Sequence, residues 1–124
     1  MSLDGIWVFE ISGIYGWERI STVFLEKGRY LGGGAILYSR GTYALDGKKI
    51  KCILDVTQHD GKRTIFGEKR KHFSTIMSGK LDGDTIHGQA HLKGGRSTVA
   101  KYHFRLIRLA DIPELPKSNK KLKK

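Results

Sequence analysis

The chain has 124 residues, a net charge of +11, one cysteine and 39% apolar residues. That length supports one domain whose core holds without disulfides or a structural metal, and a lone Cys52 excludes an intramolecular disulfide framework and a thiolate zinc site. Five of the last eight residues are lysines, so removing their charge leaves +6 on the first 116; the expected division is a folded domain over 1–113 and a basic, disordered tail over 114–124.

In chain order, the pairs Asp4-Gly5, Asp46-Gly47, Asp60-Gly61 and Asp82-Gly83, with Gly94-Gly95, separate short runs of alternating apolar and polar residues. Such pairs supply the positive φ of tight hairpins and predict an antiparallel meander that curls into a small barrel. The opening run, Gly5 to Ile11, puts Trp7, Phe9 and Ile11 on one face and Ile6 and Val8 on the other. The second face is more apolar than a solvated strand requires, so Ile6 and Val8 are candidates for a subunit interface. After a turn over 13–16, Ile20 to Glu26 alternates less clearly, and Lys27-Gly28 marks the next reversal. Gly32-Gly33-Gly34 then stands where a sheet should continue, which predicts a bend or bulge before a strand over Ile36 to Ala44. A phosphate-cradling loop is ruled out there, because no Gly-Lys-Ser/Thr follows.

Alternation is cleanest where Ile50, Cys52, Leu54 and Val56 share one face and Lys49, Lys51, Asp55 and Thr57 occupy the other. Phe73, Thr75, Met77 and Leu81 repeat it ahead of Asp82-Gly83. For the last hairpin, centring on Gly95 sets His87 opposite His103 and Ala90 opposite Ala100, with Ile86, Gly88, Ala90, Tyr102, Phe104 and Leu106 turned inward. The expected core therefore includes Trp7, Phe9, Phe73, Tyr102 and Phe104. No stretch has helical periodicity with capping signals, although 109–115 is long enough for a single turn, so the class is all-β.

Catalytic chemistry finds little purchase. Cys52 lies on an apolar face, where burial makes a thiol inert; no Gly-x-Ser-x-Gly elbow occurs, and the carboxylates are scattered without a recognisable pair. No enzyme, metal or cofactor is expected. His87, His91 and His103 share the outer face of the last hairpin, which could gather a zinc site, but ordinary surface histidines are the simpler reading. Tyr30, Tyr38 and Tyr43 beside Arg29 and Arg40 could stack bases, yet tyrosine is also a good strand residue, and no nucleic-acid partner is expected. The mix of large and small inward residues either packs solid or leaves room for a small apolar ligand. No segment approaches membrane-spanning length and no basic stretch runs into a sustained apolar one, so a cytoplasmic protein without a membrane partner is expected.

Gly5-Ile6-Trp7 resembles the Gly-x-Trp signature of lipocalin-type barrels, in which a basic residue of the last strand, here Arg105 or Arg108, packs over the tryptophan. A longer similarity covers residues 4 to 113. Gly5-x-Trp7-x-Phe9, Lys27-Gly28-Arg29 with Gly32-Gly33, Tyr38 with Gly41-Thr42-Tyr43, Asp46-Gly47, Phe66-Gly67, Ser78-Gly79 and Ile86-x-Gly88 occur in the order seen in the GrlR-like family. The resemblance implies an eight-stranded antiparallel up-and-down calycin-like barrel that forms homodimers. It further implies a noncatalytic negative regulator of type III secretion gene expression that binds a protein partner, a transcriptional activator. A carrier of a small hydrophobic ligand is the alternative. The family's named regulator grips its activator with an acidic run, whereas this chain has Asp46-Gly47-Lys48-Lys49, a reversed charge at the expected partner-binding tip; it also has Gly32-Gly33-Gly34 where family members commonly show Gly-Gly-Asp.

Overall fold

Short alternating runs bury one face only if the sheet they form closes on itself or finds a second layer, and here the sheet closes. The computed structural model describes residues 2–13, 16–60, 71–92 and 101–115. Its strands are β1 (Gly5–Gly13), β2 (Gly16–Glu26), β3 (Arg29–Gly33), β4 (Leu37–Asp46), β5 (Lys49–Gln58), β6 (His72–Asp82), β7 (Thr85–Leu92) and β8 (Lys101–Ala110). Each strand pairs antiparallel with the next, and β8 returns to β1, giving a closed up-and-down barrel of calycin-like architecture. Among the described residues there is no helix, and residues 111–115, where a single turn was expected, have no regular structure. Residues 116–124, most of the expected tail, lie outside the described residues, as does Gly61 of the third Asp-Gly pair.

Three two-residue turns close one end of the barrel. At Lys27-Gly28 both residues have positive φ, 51° and 85°, the pattern of a type I′ turn. At Gly47-Lys48 and Gly83-Asp84 only the glycine does, with φ of 62° and 61°, so the aspartate of each Asp-Gly pair is the last residue of its strand and glycine takes the first corner position, as in type II′ turns. Asp4-Gly5 is not a turn: Gly5 pairs with Leu25, and the Asp4 carboxylate instead accepts the Lys27 amide at 2.9 Å. That hydrogen bond lowers the Asp4 pKa. The triple glycine carries no bulge. Registers of β3 with both neighbours run without a shift, and Gly34 begins a turn by donating to the Leu37 carbonyl at 2.9 Å. The irregularities fall on β1, between Ile6 and Trp7 against β8 and between Phe9 and Glu10 against β2.

The main core gathers Trp7, Phe9, Val23, Leu25, Tyr30, Cys52, Met77 and Phe104, with half-buried Tyr102 packed against it. Burying each large apolar side chain here contributes about 1.5–3 kcal/mol. Phe73 is also buried but belongs to a separate small cluster with Leu37 and Val56, linked to the first through Ile20. The rings expected to meet are therefore divided: Phe9 and Phe104 lie 6.1 Å apart, while Phe73 fills another part of the barrel. At the turn end Trp7 donates its indole N–H to the Leu3 carbonyl at 3.0 Å, and the Arg108 guanidinium sits 5.5 Å from the indole ring while donating to the Asp4 carbonyl. Arg108, rather than Arg105, is the basic residue over the tryptophan.

The last hairpin keeps its expected parity but pairs two residues further along. His87 faces Arg105, not His103, and Ala90 faces Tyr102, not Ala100. Gly88 is opposed by Gly79 on one side and Phe104 on the other. A Cβ on Gly88 would collide with the Ser78 carbonyl, and one on Gly79 would come 3.1 Å from the Phe104 ring. Glycine at 79 leaves room for the Phe104 ring, and glycine at 88 lets the β6 backbone approach closely.

Candidate interaction surfaces

Among the described residues the space between the two core clusters is small. Between the two clusters, Phe9, Ser21, Tyr30, Ser39, Thr75 and Tyr102 surround a cavity of about 10 Å³, roughly the minimum of about 10–15 Å³ that a water requires. Hydroxyl groups ring it, and among the described residues no buried side-chain polar atom lacks a hydrogen-bond partner; the Thr75 hydroxyl, for example, donates to the His91 carbonyl at 2.8 Å. Burial pushes the Cys52 thiol up to about 12 and the Tyr102 phenol up to about 12, the latter against a hydrogen bond with Thr75 that lowers it. Burial raises Tyr30 well above its ordinary value. A thiol held protonated in a dry interior is not a nucleophile.

The outer surface is organised by register. One row around the barrel runs Asp46, Lys49, Lys80, His87, Arg105, Glu10 and Arg19, each residue paired with the next across neighbouring strands. Glu10 points outward yet is only 4% exposed, because two arginines cover it: Arg105 Nε donates to one carboxylate oxygen at 2.6 Å and Arg19 Nε to the other at 2.9 Å. The Arg105 guanidinium also stacks 4.2 Å from the exposed Trp17 ring. A groove of about 620 Å³ lies beside Lys49, Lys51, Lys80 and His87, and a second of about 550 Å³ beside His87, His103, Arg105 and Trp17. The hairpin tip Asp46, Gly47, Lys48 and Lys49 is exposed throughout and leads into this row. Sequence reading found the tip and missed Lys80, His87 and Arg105, whose juxtaposition appears only with the correct register.

A different row crosses β1, β2 and β3. Ile6 pairs with Phe24 and Phe24 with Leu31, with Phe24 46% and Leu31 48% exposed. Val8, one of the two residues expected at a subunit interface, is itself 5% exposed and flanked by Thr22 and Ile107, so it has little surface to offer a partner. Ile6 remains half-exposed at the start of the row.

Two other candidate sites dissolve. His87 faces Arg105 and His103 faces Gln89, so the histidines are not set opposite one another, and among the described residues no group of three or more His, Cys, Asp or Glu is arranged to hold a metal. Of the three tyrosines, Tyr30 is buried in the core, Tyr43 is half-buried against it and reaches Asp4 at 3.5 Å, and Tyr38 alone is exposed, its ring stacked 6.2 Å from that of His59. They form no shared stacking platform. Comparison with models of known protein families finds no match for this chain, and comparison with curated proteins finds none either.

Proposed function

We propose that the protein is a noncatalytic regulatory protein that works by binding another protein through its outer surface, as does the negative regulator of type III secretion gene expression that its sequence resembles. The observation that carries this reading is the small cavity between the two core clusters. Ligand pockets have volumes of about 300–1,000 Å³, whereas the cavity between the two core clusters, among the described residues, holds about 10 Å³, which favours a surface role over a carrier. The single thiol is buried, and the exposed side chains of the hairpin tip and the outer rows suit recognition. The reading includes a homodimer, supported by the exposed apolar row Ile6, Phe24 and Leu31, and a cytoplasmic setting, supported by a lone cysteine without a disulfide partner.

The test combines native mass spectrometry of freshly purified protein with affinity capture of its partner. A dimer free of any copurified small molecule, and a captured protein released by charge reversal at Lys48 and Lys49 with little change in melting temperature, are the expected results. A lipid or cofactor carried through purification would sink the reading in favour of a carrier.

A further inference from the structure

The outward row on β5 to β8 is unusual in what it lacks. Lys49 faces Lys80, Lys80 faces His87, and His87 faces Arg105, four basic side chains in consecutive cross-strand positions with no acid between them. Like charges directly opposite one another destabilise a sheet, so the Lys49–Lys80 pair is held against its own repulsion. Acids occur only at its ends. Asp46 opposes Lys49 on one side, and Glu10 is consumed by Arg105 and Arg19 on the other. Asp82 ends β6 two residues from Lys80 and makes no ion pair with the row among the described residues. The four positions span about 14 Å at the usual strand spacing, a length that about four residues of extended chain cover. The two grooves along the row meet at His87, and small side chains, Ala44 and Ser78, line the first.

From this we infer that the outer face of β5 to β8 is a docking track for an acidic, extended polypeptide segment of a partner protein, centred on Lys80 and His87. The inference rests on the protein-binding reading above and names its site and the partner's charge. Carboxylates of the segment would supply the counter-charges that the row lacks, and its small or apolar residues would lie over the groove lined by Ala44 and Ser78. A nucleic acid fits less well. Single strands bind through stacking rings as well as charge, and the exposed ring on this track, Trp17, already carries the Arg105 guanidinium, while Tyr38 stacks on His59 elsewhere.

The experiment measures fluorescence anisotropy with two labelled probes at low and physiological salt: a peptide of about ten residues alternating Glu and Ala, and an oligothymidylate of about ten nucleotides. The wild-type protein is expected to bind the peptide more tightly than the oligonucleotide. Lys80→Glu should weaken the peptide by about tenfold or more, whereas Lys71→Glu, the same charge change off the track, should leave it within about twofold. Circular dichroism melting of both variants guards against misfolding. Equal losses in the two variants would reduce the effect to net charge and overturn the track, and so would tighter binding of the oligonucleotide or no binding of the peptide. Affinity capture separates the two levels of the claim. If the wild type captures a partner that Lys80→Glu still holds, the track is wrong and the protein-binding reading stands; if the wild type captures none, that reading itself fails.

Discussion

Across β1, β2 and β3 the outward row is Ile6, Phe24 and Leu31, whereas across β5 to β8 it is Lys49, Lys80, His87 and Arg105. Beneath them the inner faces are alike: Val23, Leu25 and Tyr30 under the first, Ile50, Cys52, Met77 and Ile86 under the second, all buried. Core burial therefore asks the same of both regions and does not account for the difference outside. The apolar row gives a monomer only modest cross-strand contacts, and the Lys49–Lys80 pair costs it some repulsion. The proposed dimer would use the first surface and the proposed acidic partner the second. Glu10 stands at the seam between them, where its two arginines end the basic row.

The comparison breaks most completely if the floor under the basic row is disturbed. Gly88→Val would drive a side chain into the Ser78 carbonyl and the Gly79 Cα, and the expected loss is at least about 3 kcal/mol by chemical denaturation; an unchanged midpoint would mean that the close approach of β6 and β7 does not set the local packing. Phe24→Glu sharpens the contrast from the other side. Placing a charge in the apolar row should weaken self-association by about tenfold or more in sedimentation velocity, while the stability of the monomer, measured at high dilution, shifts by no more than about 0.5 kcal/mol. Identical sedimentation of variant and wild type would remove that row from the dimer.

Near neutrality the smallest effect is that of pH, because the groups whose pKa is raised most, Cys52, Tyr30 and Tyr102, lie inside, away from both rows. The Cys52 thiol, ordinarily 9.0, is held up to about 12 in the fold, and the Tyr102 phenol, ordinarily 10.0, also up to about 12. The unfolded chain thus gives up these protons first as the solution turns alkaline. Their contribution to stability is complete below pH 9 and is lost as pH rises from there to about 12. Urea midpoints should be flat up to pH 9 and then fall, and Cys52→Ala should move the onset up to the tyrosine range. A midpoint that stays level through pH 12 would contradict the burial of these groups.

Much of the fold was legible. The inward set Ile50, Cys52, Leu54 and Val56 follows from alternation alone, and Gly47 and Gly83 occupy the corners that their Asp-Gly context announced. The misreadings share one cause. Asp4-Gly5 carries the same local signal as the true turns, but among the described residues no strand precedes it, and the contacts of Asp4 with Lys27, Tyr43 and Arg108 give it its place. Shifting the last hairpin by two residues preserves every inward and outward assignment, so the pattern could not detect the error. That error hid the basic row, since it set His87 against His103 instead of Arg105. Among the site residues, the tip from Asp46 to Lys49 was readable because a hairpin turn is a local object. Val8 misled because its outward position is a local fact and its burial is not.

By itself the chain determined the class, several of the turns and which side of most strands is dry, because a repeat of two residues and the backbone demands of glycine act over a few neighbouring positions. Only the tertiary structure decided how β7 meets β8 and how β8 meets β1, which side chains stand next to one another on the outside, and how small the cavity between the two core clusters is. Those outcomes depend on pairings between residues as much as 104 positions apart, such as Arg108 with Asp4, and on the volumes of rings meeting from different strands, neither of which any short stretch of sequence contains.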